Sequence, residues 1–142
     1  MGIISRLRRR VREVHAPDDD SGFATVEAIF AVPVMVLVIW AAVQVGLWWY
    51  GRQLAETSAQ EAARAARVYA ASAAAGQAEG YSYLGKVDGT GTALHNPSIR
   101  VTRGAQTVTV TVKGEIVSLV PWVSPTVTIT VTSPVETYVP AG

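Results

Sequence analysis

A long apolar run near the amino terminus dominates the hydropathy pattern of the chain. Residues 28–49 form a stretch of 22 positions without a charged side chain, and Gln44 is the one strongly polar residue in it. A helix of this length rises about 33 Å, which is enough to cross the hydrocarbon core of a bilayer. Trp48, Trp49 and Tyr50 follow, and such aromatic residues favour the membrane-water interface. The pattern therefore predicts a transmembrane helix over residues 23–50.

Helix-forming sequence continues beyond this predicted membrane boundary. Residues 51–75 are rich in alanine, with glutamate and arginine interspersed, so helix propensity stays high. We expect one nearly continuous helix over residues 23–75. Gly51 would soften it at the bilayer edge, and Gly76 would end it in a left-handed cap. Because this outer half has few large apolar side chains, it needs another element to pack against.

The carboxyl-terminal part of the chain has a different period. Residues 76–97 contain several glycines and no clear periodicity, which predicts a loop. In residues 98–142, valine and isoleucine alternate with threonine at 107–112 and 126–131, which is the pattern of half-buried strands. Two more candidate strands contain Ile99 and residues 116–120, with connections at Arg103-Gly104-Ala105 and Lys113-Gly114-Glu115. The predicted fold is α+β, with the long helix packed on an antiparallel sheet of three or four strands.

The first 22 residues are polar and form a predicted cytoplasmic leader. They carry arginines at positions 6, 8, 9, 10 and 12, followed by an acidic, breaker-rich stretch at 16–22. Positive charge beside a first span keeps that end in the cytoplasm, so the carboxyl-terminal part is expected outside. A nucleic-acid-binding patch is the alternative interpretation of the arginines, but no aromatic residue is interleaved with them. We therefore expect membrane and no nucleic acid as a partner.

The sequence offers little chemistry for catalysis. It contains no cysteine, and its two histidines, His15 and His95, fall on opposite sides of the predicted span. Asp18, Asp19 and Asp20 could attract a cation, but a solvated acidic linker is the simpler interpretation. Glycines at 85–91 lack the lysine spacing of a phosphate loop. The chain is expected to be no enzyme and to hold neither metal nor cofactor.

Short motifs around the start of the span resemble a known family. Gly22-Phe23, followed by Glu27, is similar to the processing site of type IV prepilin-like proteins. The wider context resembles the TadE-like minor pilins of tight-adherence pilus systems. It consists of Ala24-Thr25-Val26-Glu27, Pro33 and the alanine-rich segment from Glu61 to Arg67. The resemblance covers roughly residues 21–67.

This resemblance implies a structural role and a processing event. A prepilin peptidase would cut after Gly22, and Glu27 would become the fifth residue of the mature chain. The new amine of Phe23 could then pair with Glu27 of a neighbouring subunit, and Pro33 would bend or locally melt the helix. The expected protein is a pseudopilin in the cytoplasmic membrane, with other pilins and the pilus assembly platform as partners.

Blander interpretations of the same residues stay open. Gly22 could simply end a linker, Glu27 could be an interfacial side chain that snorkels, and Pro33 could be a tolerated membrane proline. The alternative function is an uncleaved single-span protein whose outer β domain binds a cell-envelope or secretion-system partner. A third class is an accessory subunit of a secretion machine with pilin ancestry.

Overall fold

The computed structural model describes residues 19–137, so the leader arginines, His15 and Asp18 lie outside the described part of the chain. The described elements are helix α1 (Asp19–Arg67), helix α2 (Ala73–Val87) and strands β1 (Leu94–Arg103), β2 (Thr107–Ile116) and β3 (Thr126–Pro134). They confirm the predicted α+β class. The described residues divide into two compact units, 19–40 and 41–137.

In the first unit, α1 begins earlier than the sequence predicts. The helix starts at Asp19, whereas the sequence predicts a helix from residue 23 and an unstructured leader before it, so the last four residues of the predicted leader are helical. It continues through Pro33 although the proline ring cannot donate an amide hydrogen bond to the carbonyl of Ile29. Neighbouring turns therefore hold the helix together at this position.

In the second unit, three antiparallel strands form a sheet in the order β1-β2-β3. Val110 of β2 pairs with Val101 of β1 on one side and with Val131 of β3 on the other. The β1–β2 register shifts between His95 and Ser98, where Asn96 adopts a positive φ of 47°. A bulge of this kind tightens the local twist of an edge strand.

Two details of the predicted sheet are wrong. The residues Lys113-Gly114-Glu115 do not connect two strands but lie within β2, which continues to Ile116. Gly114 leaves room for Leu94 of the neighbouring strand, since a β-carbon at this position would come within 2.5 Å of the Leu94 side chain. Residues 117–125 are irregular rather than a fourth strand. Two prolines in this stretch, Pro121 and Pro125, have no amide to donate to a ladder.

The core of the second unit lies between the alanine-rich part of α1 and the sheet. Small side chains let the helix approach closely, and the alternating valines of β2 supply the larger apolar volume. This confirms the predicted packing of helix on sheet. The apolar side chains at its centre, each 2% exposed or less, are Ala55, Ala59, Ala62, Ala63, Ala66, Leu94, Ile99, Val108, Val110, Val112 and Ile116.

The long helix ends eight residues before the predicted stop. α1 terminates at Arg67, and Ala70 takes a positive φ of 61° in the connection that follows. Ser72 then caps a new helix, because its side-chain oxygen accepts a hydrogen bond from the amide of Ala75 at 3.1 Å. Gly76 is consequently not a helix stop but a residue in the first turn of α2.

Helix α2 occupies most of the segment that the sequence predicts to be a loop. Its buried residues are Gly76, Gly80 and Leu84, spaced by four on one face. After it, the Asp88 carboxylate accepts hydrogen bonds at 2.9 Å from the amides of Thr92 and Leu94 and so fixes the turn into β1. The glycines that suggested disorder therefore belong to an ordered helix and its tight connection.

Candidate functional site

The predicted processing segment lies in the first three turns of α1. Gly22, Phe23 and Glu27 all fall within the helix, which extends from Asp19. Phe23 and Glu27 are four residues apart in the sequence of the helix, which corresponds to about one turn. Glu27 is solvent-exposed. A carboxylate in this position is accessible to a partner on another molecule.

Between Val26 and Val45, α1 exposes large apolar side chains on every face. Consecutive residues from Val34 to Ile39 are all more than half exposed, which leaves no buried stripe on this part of the helix. An amphipathic surface helix would bury one side, whereas a helix that is apolar all round fits a membrane or a bundle of similar helices. The exposed set comprises Val26, Ile29, Phe30, Val32, Val34, Met35, Val36, Leu37, Val38, Ile39, Trp40, Val43 and Val45.

Within the described residues, one helix is long and apolar enough to cross a bilayer. The segment is found within residues 25–67, and none of its most apolar stretch is buried. A helix in the core of a soluble domain would be mostly buried, so exposure favours a lipid-facing segment. This fits a single-pass membrane protein.

Aromatic and basic side chains follow the apolar stretch. Trp48, Trp49 and Tyr50 are exposed, and the Arg52 guanidinium lies 5.7 Å from the centroid of the Trp48 ring. This distance is within the range of a cation–π contact. An indole beside a guanidinium suits the headgroup region, where an apolar ring and a charge are both solvated.

Gln44 makes a contact that the sequence did not predict. Its side-chain oxygen accepts a hydrogen bond from the Leu119 amide at 2.7 Å, and its nitrogen lies 3.5 Å from the Val117 carbonyl oxygen. The one strongly polar side chain of the apolar run is thus paired with the irregular segment between β2 and β3. The sequence did carry a signal for this contact, because Gln44 is isolated among apolar residues and a buried or lipid-facing amide requires a hydrogen-bond partner.

The titratable side chains of the described residues do not form a metal site. No group of three histidine, aspartate or glutamate side chains lies close enough to hold a cation within residues 19–137. His95 is exposed in β1, and Asp88 is occupied with backbone amides. The features that stand out among the described residues are the exposed apolar surface of α1 and its contact with residues 117–119.

A comparison with protein-family models bears on the amino-terminal segment. Residues 22–64 match the family model described as TadE-like protein. The match begins at Gly22 and includes Glu27, Pro33 and the apolar stretch of α1. No curated protein and no solved structure gives a significant match to the chain. The TadE-like resemblance inferred from the motifs is thereby confirmed for this segment, whereas the sheet has no counterpart in the match.

Proposed function

We propose that the chain is a pilin-like structural subunit of a tight-adherence type pilus, cut after Gly22 by a prepilin peptidase and held in the cytoplasmic membrane by α1. The main support is the TadE-like match, which starts at the residue that would precede the cut. As a structural subunit, the protein would be no enzyme. Its partners would be the peptidase, other pilins or pseudopilins and the assembly platform.

The exposed apolar surface of α1 supports this role. Side chains such as Phe30 and Leu37 are 70% and 60% exposed, and leaving such groups in water is unfavourable by about 1.5–3 kcal/mol each. Lipid can cover them in a membrane-anchored subunit, and the helices of neighbouring subunits can cover them in an assembly. A helical segment without a buried face, such as the apolar part of α1, is suited to a move from lipid into contact with neighbouring helices.

The charged end of α1 gives the assembly a specific contact. Cleavage after Gly22 would leave an ammonium group on Phe23, and Glu27 carries an exposed carboxylate one turn away. Pairing between Phe23 of one subunit and Glu27 of the next would set their register along the helix axis. Pro33 would bend α1 just beyond this contact, because it removes one hydrogen bond from the helix.

An uncleaved membrane anchor is the second candidate function. The folded second unit, with its own core, is what such a protein would present to a cell-envelope or secretion-system partner. The two candidates share the membrane span and differ in whether the bond after Gly22 is cut. Processing is therefore the decisive observation.

The test uses two variants of the segment and one control. Gly22→Leu should block cleavage, because the bulky side chain prevents close approach of the scissile bond to the peptidase. Glu27→Ala should still be cut but should assemble poorly, because removing one member of a poorly solvated ion pair costs up to about 3–5 kcal/mol. Glu79→Ala, on the exposed surface of α2, should affect neither step.

Amino-terminal sequencing and counting of surface pili provide the two readouts. Processed wild-type protein should begin with Phe23. A chain that keeps Met1 or Gly2 in piliated cells with an active prepilin peptidase would exclude the pilin proposal and favour the uncleaved anchor. Normal piliation by Glu27→Ala would remove the ion-pair step while leaving cleavage intact.

A further inference from the structure

The segment between β2 and β3 is unusually apolar and exposed. Residues 117–125 contain no charged side chain. Trp122 is 99% exposed, and its backbone adopts a positive φ of 68°. Leu119 and Val123 are also exposed. Such a cluster in water is unfavourable, and it needs an apolar surrounding.

The contact with Gln44 fixes the depth of this segment along α1. Gln44 lies within the apolar run and precedes Trp49, the last residue of that run, by about 7.5 Å of helix rise. Because Gln44 bonds the Leu119 amide at 2.7 Å, the segment reaches past the aromatic residues that mark the expected membrane boundary. If α1 crosses the membrane, residues near Leu119 lie below that boundary.

We propose that residues 117–123 insert into the membrane leaflet nearest the sheet and form a second, shallow membrane contact beside α1. This inference rests on the proposed membrane position of α1 and adds an element outside the TadE-like match. The occupant of the apolar surface is lipid, since the surface continues that of α1 at the same depth. Trp122 at the tip suits the interfacial zone, where an indole has an apolar body and a polar N–H.

Several backbone amides of the segment already have hydrogen-bond partners within the protein. Irregular backbone is costly in a membrane unless its polar groups find partners. The Val120 amide donates to the Ser118 hydroxyl at 3.1 Å, and the Val123 amide donates to the Val120 carbonyl at 3.3 Å. Pro121 has no amide to satisfy. Together with the Gln44 contact, these local bonds reduce the cost of shallow insertion.

A neighbouring cavity also favours contact with lipid. It has a volume of about 590 Å³ and lies between the outer part of the apolar run and residues 117–119. Leu47, Tyr50, Val87 and Leu119 contribute apolar surface to its wall, which also includes the polar residues Asp88, Thr90 and Thr92. Acyl chains of the leaflet can cover the apolar part of this wall.

The experiment measures the depth of single sites in the full chain. Because the protein has no cysteine, Val123→Cys, Leu37→Cys and Thr132→Cys each give one labelling site for an environment-sensitive fluorophore. The labelled proteins are reconstituted in phosphatidylcholine vesicles containing lipids with a doxyl quencher near the headgroup or deep in the acyl chain. Thr132 is exposed in β3 and serves as the control outside the membrane.

The Val123 label should be quenched at least twofold more by the shallow quencher than by the deep one. The Leu37 label should be quenched, most strongly by the deep lipid, and the Thr132 label by neither. An unquenched Val123 label beside a quenched Leu37 label would overturn the insertion while keeping the membrane position of α1. If that Val123 label also had blue-shifted emission, a protein surface such as a second copy would be the cover instead. An unquenched Leu37 label would overturn both the position of α1 and the insertion that depends on it.

Discussion

Gly76 of α2 lies so close to Ala62 of α1 that a β-carbon at Gly76 would come within 2.6 Å of the Ala62 carbonyl oxygen. The same β-carbon would also come within 2.6 Å of the Ala66 methyl group. One turn later, the carbonyl of Gly80 accepts a buried hydrogen bond from the Ser58 hydroxyl at 3.2 Å. The two helices therefore meet through backbone and small side chains, and their spacing depends on the missing β-carbons.

Gly76→Ala should destabilise the second unit by about 1–3 kcal/mol, because the added methyl group overpacks a rigid backbone contact. Gly85→Ala is the matched control, since Gly85 lies in the same helix with open space around it. That change should be neutral or stabilising by up to about 1 kcal/mol, because alanine favours a helix. Urea unfolding of the full chain in detergent compares the two. Equal stabilities would contradict the close helix contact.

Val110→Asp should destabilise the second unit by several kcal/mol. Val110 is completely buried in the central strand, so an aspartate there would be a charge without a partner. Thr132→Asp places the same charge on an exposed position of β3 and should change stability by less than about 1 kcal/mol. Limited proteolysis and urea unfolding measure the difference. Equal sensitivity would argue against the assigned faces of the sheet.

Gln44→Leu should loosen residues 117–125 without unfolding the sheet. The substitution removes the acceptor of the Leu119 amide, and a neutral hydrogen bond contributes about 0.5–1.5 kcal/mol. The Leu119 amide should then exchange its hydrogen about 2- to 10-fold faster. Gln60→Leu, at an exposed position on the same helix, should leave that rate unchanged. Unchanged exchange in Gln44→Leu would show that the contact does not hold the segment.

The orientation of the chain can be tested with an impermeant thiol reagent. Ser5→Cys in the arginine-rich leader should resist labelling in intact cells, because positive charge beside a first span favours the cytoplasmic side. Thr107→Cys, exposed at the start of β2, should react. If the leader is removed by processing, the Ser5 variant must be examined in an uncleaved Gly22→Leu background. The reverse labelling pattern would invert the topology.

Much of the fold could be predicted because two residue periods differ sharply along the chain. The uninterrupted apolar and alanine-rich run indicates a helix, and the alternation around Val110 indicates a strand with one buried face. These local patterns were enough to predict that the helix packs on the sheet. The family motifs also predicted the candidate processing segment from local sequence, because they are short and contiguous.

The end of α1 and the start of α2 were missed because a glycine can either end a helix or allow two helices to pack closely. Gly76 was predicted to end a helix through its backbone freedom, whereas the structure uses its missing side chain for a close helix contact. Ser72 carried a usable signal, because a serine before an alanine-rich stretch is a good helix start. The pairing of Gln44 with Leu119 joins positions 75 residues apart, and no local pattern encodes it.

Besides the shared core, hydrogen bonds join α1 to the segments that flank the sheet at two distant places. Gln44 bonds residues 117 and 119 near one end, and the Arg67 carbonyl accepts a hydrogen bond at 2.9 Å from the Glu136 amide at the other. These attachments are separated by about 35 Å of helix. Tension applied along α1 is therefore shared as shear across the whole packed interface between them. A protein loaded in this way must break many contacts together before the helix can separate from the sheet.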